Sequence, residues 1–144
     1  MPKFLAEFFP NVANYWDIFL TALTATYQMF FIAGLITLLI GGAFGIALIV
    51  TKTDGIKPNR VIHFILEVIT NVFRAVPFII LLIFLIPLTR SIAGTSIGVK
   101  GAIVPLVFGA VPFYTRQVET ALADVNPGKI EAARSMGSST LGII

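Results

Sequence analysis

The chain has 144 residues, of which 57% are hydrophobic and only 12% are charged, and its mean hydropathy is +0.95. Because a soluble domain is about a quarter charged, this composition indicates a protein of the lipid bilayer. The sequence contains no cysteine and one histidine, which excludes disulfide frameworks and metal centres built from these residues, and its ten Lys and Arg residues are scattered singly, which argues against nucleic acid as a partner.

The first predicted membrane span covers residues 22–50. No charged residue occurs between Asp17 and Lys52, a run of 34 positions, whereas about 20 are enough to cross the hydrocarbon core. The apolar side chains from Phe30 to Val50 favour insertion by roughly 4 to 8 kcal/mol. A cleaved signal peptide is the alternative, but its apolar region would be shorter and would follow positive charge directly.

Three glycines in this span, Gly34, Gly41 and Gly45, lie within about 40° of one another on a helix. Gly41 and Gly45 form a GxxxG pair, and such a smooth stripe permits close backbone approach of a second helix in lipid. We therefore expect a helix-packing face at these glycines. The alternative is that glycine is simply frequent in membrane helices.

The second predicted span covers residues 60–88. Its uncharged part, residues 75–89, reaches only about 22 Å as a helix, so the helix is expected to begin near residues 59–62 and to enter the membrane obliquely. Four polar residues recur at helical spacing on one face of this approach: His63, Glu67, Asn71 and Arg74. The stripe suits the membrane interface or a watery cleft, and a solvated helix face is the alternative.

The third predicted span covers residues 99–119 and is the least apolar of the three. Pro105 and Pro112 lie seven residues apart, so the two missing hydrogen bonds that they cause fall on the same side of the helix. Gly109 lies beside them. Unpaired carbonyls at mid-membrane are tolerated only against protein or a water-filled cavity. We expect this face to line the pathway or its gate, and a static kink is the alternative.

The distribution of positive charge predicts the orientation of the chain. Counted against the uncharged runs 18–51, 75–89 and 101–115, seven Lys and Arg residues lie between the first and second runs or after the third, against three on the opposite side. Because positive residues concentrate in cytoplasmic loops, the N-terminus is expected outside the cell and the C-terminal tail in the cytoplasm.

Local rules predict a helix, a glycine turn and a second helix in this tail. Asn126 is a good N-cap, Pro127 suits the first helical position, and Gly137 is placed to end the helix in the left-handed conformation. The first helix is expected over residues 127–136 and the second from Leu141. A generic surface hairpin would follow the same rules.

The tail resembles the EAA signature of bacterial ABC-importer permeases. The segment Glu131-Ala132-Ala133-Arg134-Ser135-Met136-Gly137 has the signature's spacing of Glu-Ala-Ala, three residues and glycine. Upstream, residues 71–82, with Arg74 and Pro77 as an Arg-x-x-Pro element, are similar to the second core helix of the methionine importers. Further similarity to that subfamily occurs at residues 94–98, 102–106, 112–113, 116, 118–119 and 121–122. The resemblance is close over residues 68–137 and looser over residues 19–51.

This resemblance implies an all-α, polytopic membrane protein with the transmembrane fold of the type I ABC importers. It implies that residues 120–144 form the coupling loop, in which Glu131, Ala132, Ala133 and Gly137 dock on an ABC ATPase subunit that holds ATP and Mg. The other expected partners are a second copy of the permease in a homodimer, an extracytoplasmic methionine-binding lipoprotein and membrane lipid. The chain itself is expected to hold no cofactor, metal or catalytic residue, and its expected location is the bacterial inner membrane.

The family's motif continues beyond its glycine, and two more membrane helices follow it. We therefore expect the 144 residues to be a fragment with three of about five spans that is inactive alone. The expected function is the import of methionine, in either stereochemical form. The alternatives are a permease for another polar amino acid and a membrane enzyme or proton-coupled carrier, although only Glu67 and His63 bring ionisable groups near the spans.

Overall fold

Helices make up almost all of the chain in the computed structural model, which describes residues 9–143. Residues 1–8 and Ile144, the last residue of the predicted coupling loop, lie outside the described residues. The helices of the described part are α1 (Pro10–Asn14), α2 (Trp16–Thr51), α3 (Arg60–Ala75), α4 (Phe78–Phe84), α5 (Ile86–Ala93), α6 (Gly98–Ala123), α7 (Pro127–Ser135) and α8 (Thr140–Ile143). Residues 9–143 contain no strand, so the expected all-α fold is confirmed for them.

Two helices, α2 and α6, are long and apolar enough to cross a bilayer. With 36 and 26 residues, they measure about 54 and 39 Å at 1.5 Å per residue, and the predicted spans 22–50 and 99–119 lie inside them. One side of α2 exposes a row of large apolar side chains: Phe31, Leu35, Leu38 and Leu39. Such a surface is stable in lipid and not in water, so the chain is a membrane protein.

The contact between α2 and α6 is the most extensive in the described structure. Along α2, buried residues recur every three or four positions: Ala33, Thr37, Gly41, Gly45 and Leu48. A Cβ atom at Gly41 would lie 2.9 Å from Tyr114 Cδ1, and one at Gly45 would lie 2.6 Å from Val118 Cβ. The two glycines therefore bring the backbone of α2 against α6, as glycine does between membrane helices.

Gly34, the third glycine of the predicted packing face, does not contact α6 in the described structure. Gly34 is exposed, and no atom of another segment in the described part of the chain comes within 4 Å of the place that its Cβ would take. Where the helices are closest, Thr115 Oγ1 on α6 donates a hydrogen bond to Gly41 O, 3.3 Å away and buried. The packing face within this chain thus consists of Gly41 and Gly45.

The predicted second span, residues 60–88, is a broken helix and not a continuous one. The axes of α3 and α4 are bent by 103°, so that the pair forms one broken span or a re-entrant loop. The break falls at Val76 (φ −80°, ψ 124°) and Pro77 (φ −56°, ψ 134°). Its cause is Pro77, which disfavours the helical conformation of the residue before it and has no N–H for the helical ladder.

Gly45→Ala is expected to destabilise the protein, because the new Cβ would lie 2.6 Å from Val118 Cβ and 2.8 Å from Thr115 O. Overpacking of this kind costs about 1–3 kcal/mol. Gly34→Ala makes the same chemical change where no other segment is near, so it should leave the protein as stable as the parent. Thermal unfolding in detergent compares the two variants, and equal midpoints would contradict the packing role of Gly45.

Candidate functional site

The helix that contains the Glu-Ala-Ala segment, α7, follows α6 after a turn of three residues. Asn126 caps it, since Asn126 Oδ1 accepts a hydrogen bond from Gly128 N at 2.8 Å, and Pro127 occupies its first turn. The first N–H groups of a helix have no partner inside it, and proline has no N–H to lose there. The helix start predicted at these residues is therefore confirmed.

The same helix ends in a glycine turn. Gly137 has a φ of +79°, and the N–H groups of Gly137 and Ser138 donate to the carbonyls of Arg134 and Ala133, at 2.9 and 3.0 Å. These two bonds form a Schellman motif, which satisfies the last carbonyls of a helix. α8 follows at Thr140, so the predicted order of helix, glycine turn and helix is confirmed.

The segment between α2 and α3, residues 52–59, lies against α7 and is called the α2–α3 loop below. Arg134 Nη2 on α7 donates a hydrogen bond to Ile56 O of this loop at 2.9 Å. A cavity of about 230 Å³ lies among the loop, α7 and the ends of α2 and α6. Four charged residues are part of its wall: Lys52, Asp54, Glu131 and Arg134. Glu131 and Arg134 therefore lie on the inner side of α7.

The opposite side of α7, called its outer face below, consists of Lys129, Ala132, Ala133 and Met136. Lys129, Ala132 and Met136 are exposed, with Met136 at 79%, and Ala133 is half-buried. Helical spacing places these four residues side by side. The outer face is thus a narrow surface of small or flexible side chains, of a kind that fits a groove on another protein.

The face of α6 that carries Pro105, Gly109 and Pro112 is packed inside the chain. Both prolines are buried, and a Cβ at Gly109 would lie 3.0 Å from Phe78 Cδ2 on α4. Protein therefore covers both prolines, and the interior of a bilayer tolerates an interrupted helical ladder only against protein or water. This face contacts α4 in the described structure, and its role in a pathway or gate stays a prediction.

A group of polar side chains joins α3 to α6 and is called the Arg116 cluster below. Arg116 donates to Glu119 Oε2 at 2.6 Å, to Asn71 Oδ1 at 2.9 Å and to Glu67 Oε1 at 3.4 Å. Arg116 and Glu119 are only 20% and 16% exposed. The cluster thus places two carboxylates and an amide oxygen around one guanidinium.

His63, the next member of the polar stripe on α3, reaches α2 instead. Its Nδ1 lies 3.0 Å from Leu48 O, and because a carbonyl can only accept, the ring nitrogen donates there. His63 Nε2 lies 3.8 Å from Glu67 Oε2. His63 therefore connects the Arg116 cluster to the end of α2, whereas Arg74 at the other end of the stripe is exposed.

The sequence contained part of the signal for this cluster. The stripe on α3 predicted a polar surface, and the three-residue spacing of Arg116 and Glu119 is that of an ion pair on one helix. Neither pattern shows which helices face each other. Sequence reasoning therefore missed the contact between Arg116 and the stripe.

Residues 43–144 match the family described as binding-protein-dependent transport system inner membrane component. The chain belongs to this family. The match begins within α2 and includes α6, the Arg116 cluster and the Glu-Ala-Ala segment. The residues that build the candidate site thus lie within the matched region.

Two D-methionine transport permeases are similar to this chain over most of its length. The D-methionine transport system permease protein MetI of Yersinia pestis is 46% identical over 119 residues, which are 83% of this chain and 55% of that protein. The protein of the same name from Escherichia coli K12 is 45% identical over the same shares of both chains. The chain thus spans about half the length of the curated relatives that it matches.

A solved structure described as an inward-facing conformation of the MetNI methionine ABC transporter has the same fold. Its superposition on this chain gives a TM-score of 0.81 at 45% sequence identity, and it covers 84% of this chain and 56% of the solved chain. A second crystal form of that transporter gives a TM-score of 0.83 at 44% identity. The helical arrangement described above is therefore that of a transporter's membrane subunit.

Gly137→Ala is expected to loosen the end of α7, because a Cβ in the left-handed conformation costs roughly 1–2 kcal/mol. Gly137 has no other segment within 4 Å of its missing Cβ in the described structure, so the cost is conformational. The Ser138 amide, which donates to Ala133, should then exchange its hydrogen about 5 to 30 times faster. Gly137→Asn is the control, because asparagine tolerates this conformation. Unchanged exchange in Gly137→Ala would contradict the role of the turn.

Proposed function

We propose that this chain is part of the permease subunit of an ATP-driven importer and that α7 docks on a separate ATPase subunit. The observation that carries the proposal is the position of Glu131-Ala132-Ala133 and Gly137. They form a capped helix that follows α6 directly, is fixed to the α2–α3 loop on its inner side and is exposed on its outer face. A helix in this position can pass a displacement from a bound partner into the membrane.

The ATPase would bind the outer face of α7 and would itself hold ATP and Mg, so that hydrolysis takes place outside this chain. ATP binding would move α7, and α6 would follow because only three residues separate the two helices. Two copies of the permease would then switch between inward-open and outward-open arrangements as rigid bodies. The buried face with Pro105, Gly109 and Pro112 would form part of the pathway or its gate when the copies rearrange.

This mechanism requires α7 to lie in the cytoplasm and the N-terminus outside. The distribution of Lys and Arg along the sequence supports that orientation, because seven of the ten lie between the first and second uncharged runs or after the third. The inner membrane of a bacterium is the corresponding location. Lipid would cover the exposed apolar side of α2.

Methionine is the proposed substrate, supplied by an extracytoplasmic binding lipoprotein. The support is the function of the similar proteins, which are D-methionine transport permeases, and of the structurally similar methionine transporter. The residues of this chain that would contact the substrate are not part of the proposal. Substrate choice in such a system would depend largely on the external binding protein.

Uptake of labelled methionine tests this substrate. Vesicles that contain the full-length permease subunit of which this chain is part, its ATPase and its binding protein should accumulate the label only when ATP is present on the side of the ATPase. An excess of unlabelled methionine should compete, in either stereochemical form, and an excess of glutamine should not. Uptake that is indifferent to excess methionine would contradict methionine as the substrate and would favour a permease for another polar amino acid.

Glu131→Lys is expected to abolish transport, because it reverses a charge on α7 beside Arg134 and disturbs the docking helix. Gly137→Pro should have the same effect, since proline cannot adopt the φ of +79°. Both variants should still insert into the membrane. Asp17→Lys, an equal change of charge at the exposed start of α2, is the control for net charge. Uptake by Glu131→Lys at the rate of the parent would refute the docking role.

A further inference from the structure

Two arginine contacts join parts of the chain that are far apart in sequence. Arg116 on α6 binds Asn71 and Glu67 on α3, at 2.9 and 3.4 Å. Arg134 on α7 binds Ile56 O in the α2–α3 loop at 2.9 Å. Because α7 follows α6 and α3 follows the loop, the two contacts connect the same two stretches of chain twice.

The Arg116 cluster lies at the same distance from the end of α3 as from the end of α6. Glu67 lies seven residues after the start of α3 at Arg60, and Arg116 lies seven residues before the end of α6 at Ala123. At 1.5 Å per residue, each is about 10 Å from the end of its helix. The Arg116 cluster is thus about the same distance along both helices from the ends that lead to the loop and to α7.

The α2–α3 loop is itself held by backbone hydrogen bonds. The N–H groups of Lys57 and Asn59 donate to Val50 O and Thr51 O, at 3.0 and 2.9 Å. Asn59 also caps α3, since its Oδ1 accepts from Ile62 N at 3.1 Å. A loop that is bonded at both ends transmits a displacement to α3 instead of absorbing it.

The chemistry of arginine explains why one side chain serves this cluster. Its planar guanidinium has five N–H donors in a fixed fork, so Arg116 can bind Glu119 on its own helix and two groups on α3 at the same time. Arg116 is only 20% exposed, whereas its partner Glu67 on α3 is 42% exposed, so burial on the arginine side strengthens the attraction and limits screening by salt. Lysine would keep the charge and lose the fork.

We propose that Arg116 is a positioning residue that ties α3 to α6, so that α3, the α2–α3 loop, α6 and α7 move as one unit during transport. A displacement of α7 then reaches the broken α3–α4 segment through two routes, the loop and the Arg116 cluster. The inference rests on the proposed function, because it assigns the path by which docking at α7 moves the membrane helices.

Arg116→Met tests the tie through the ratio of methionine taken up to ATP hydrolysed. Loss of the tie should lower this ratio about tenfold while the ATPase still binds and hydrolyses ATP. Arg116→Lys should recover part of the loss, because it restores the charge. Lys100→Met removes a positive charge from the exposed start of the same helix and should keep the ratio of the parent. A ratio in Arg116→Met equal to that of the parent would overturn the proposal.

A reversible cross-link between α3 and α6 tests whether the two helices must stay together during transport or must separate. The sequence has no cysteine, so Glu67→Cys and Arg116→Cys together offer one defined pair for a reducible thiol-bridging reagent. The double variant should transport poorly per ATP, the cross-link should restore the ratio, and reduction should abolish it again. If the cross-link lowers the ratio further, α3 and α6 must part during transport and the proposal is wrong.

Amide hydrogen exchange gives a readout that does not depend on transport. In Arg116→Met, the amides of residues 52–66 should exchange at least several times faster than in the parent, and in Lys100→Met they should not. Equal exchange in Arg116→Met and the parent would overturn the tie. Absence of ATP-driven uptake by the full-length parent subunit that contains this chain would contradict the proposed function alone, since exchange would still decide the structural inference.

Discussion

The close approach of α2 and α6 at Gly41 and Gly45 is the contact on which the rest of the structure depends. In lipid, apolar side chains gain little by leaving one apolar environment for another, so helices associate through van der Waals packing and a few hydrogen bonds. Glycine gives the largest contact, because the two backbones themselves can touch. The bond from Thr115 to Gly41 O adds direction to this packing. With α6 fixed on α2, the positions of the proline face, of Arg116 and of α7 are all determined.

The sequence predicted the features that depend on neighbours along the chain. A long uncharged run gives α2, and Asn126, Pro127 and Gly137 give the beginning and end of α7, because capping is decided within one turn of helix. The break before Pro77 was also within reach of local rules, since a residue before proline avoids the helical conformation. The prediction of one continuous second span over residues 60–88 was wrong, because Pro77 interrupts the helix within the apolar run of residues 75–89.

What the sequence could not predict depends on which surfaces meet. Gly34 shares its helical face with Gly41 and Gly45, yet α6 crosses α2 only at the latter two. Arg116 is separated from Glu67 by 49 positions, and periodicity on each helix says nothing about the rotation of one helix against the other. The role of the polar groups of α3 as partners of Arg116 thus becomes visible only when the position of α6 is known. The end of the bundle near α7 is held by charged and backbone hydrogen bonds, whereas its middle is held by packing.

The outer face of α7 sets the character of any association that covers it. Two alanines and a methionine make up most of this face, with Lys129 at its edge, and the backbone carbonyls at the end of the helix are already satisfied by the glycine turn. A partner therefore gains by removing apolar surface from water and not by pairing charges. Complex formation of this kind is accompanied by a decrease in heat capacity and is only weakly sensitive to ionic strength, so a complex made through this face would persist over the range of salt concentrations that a cell experiences.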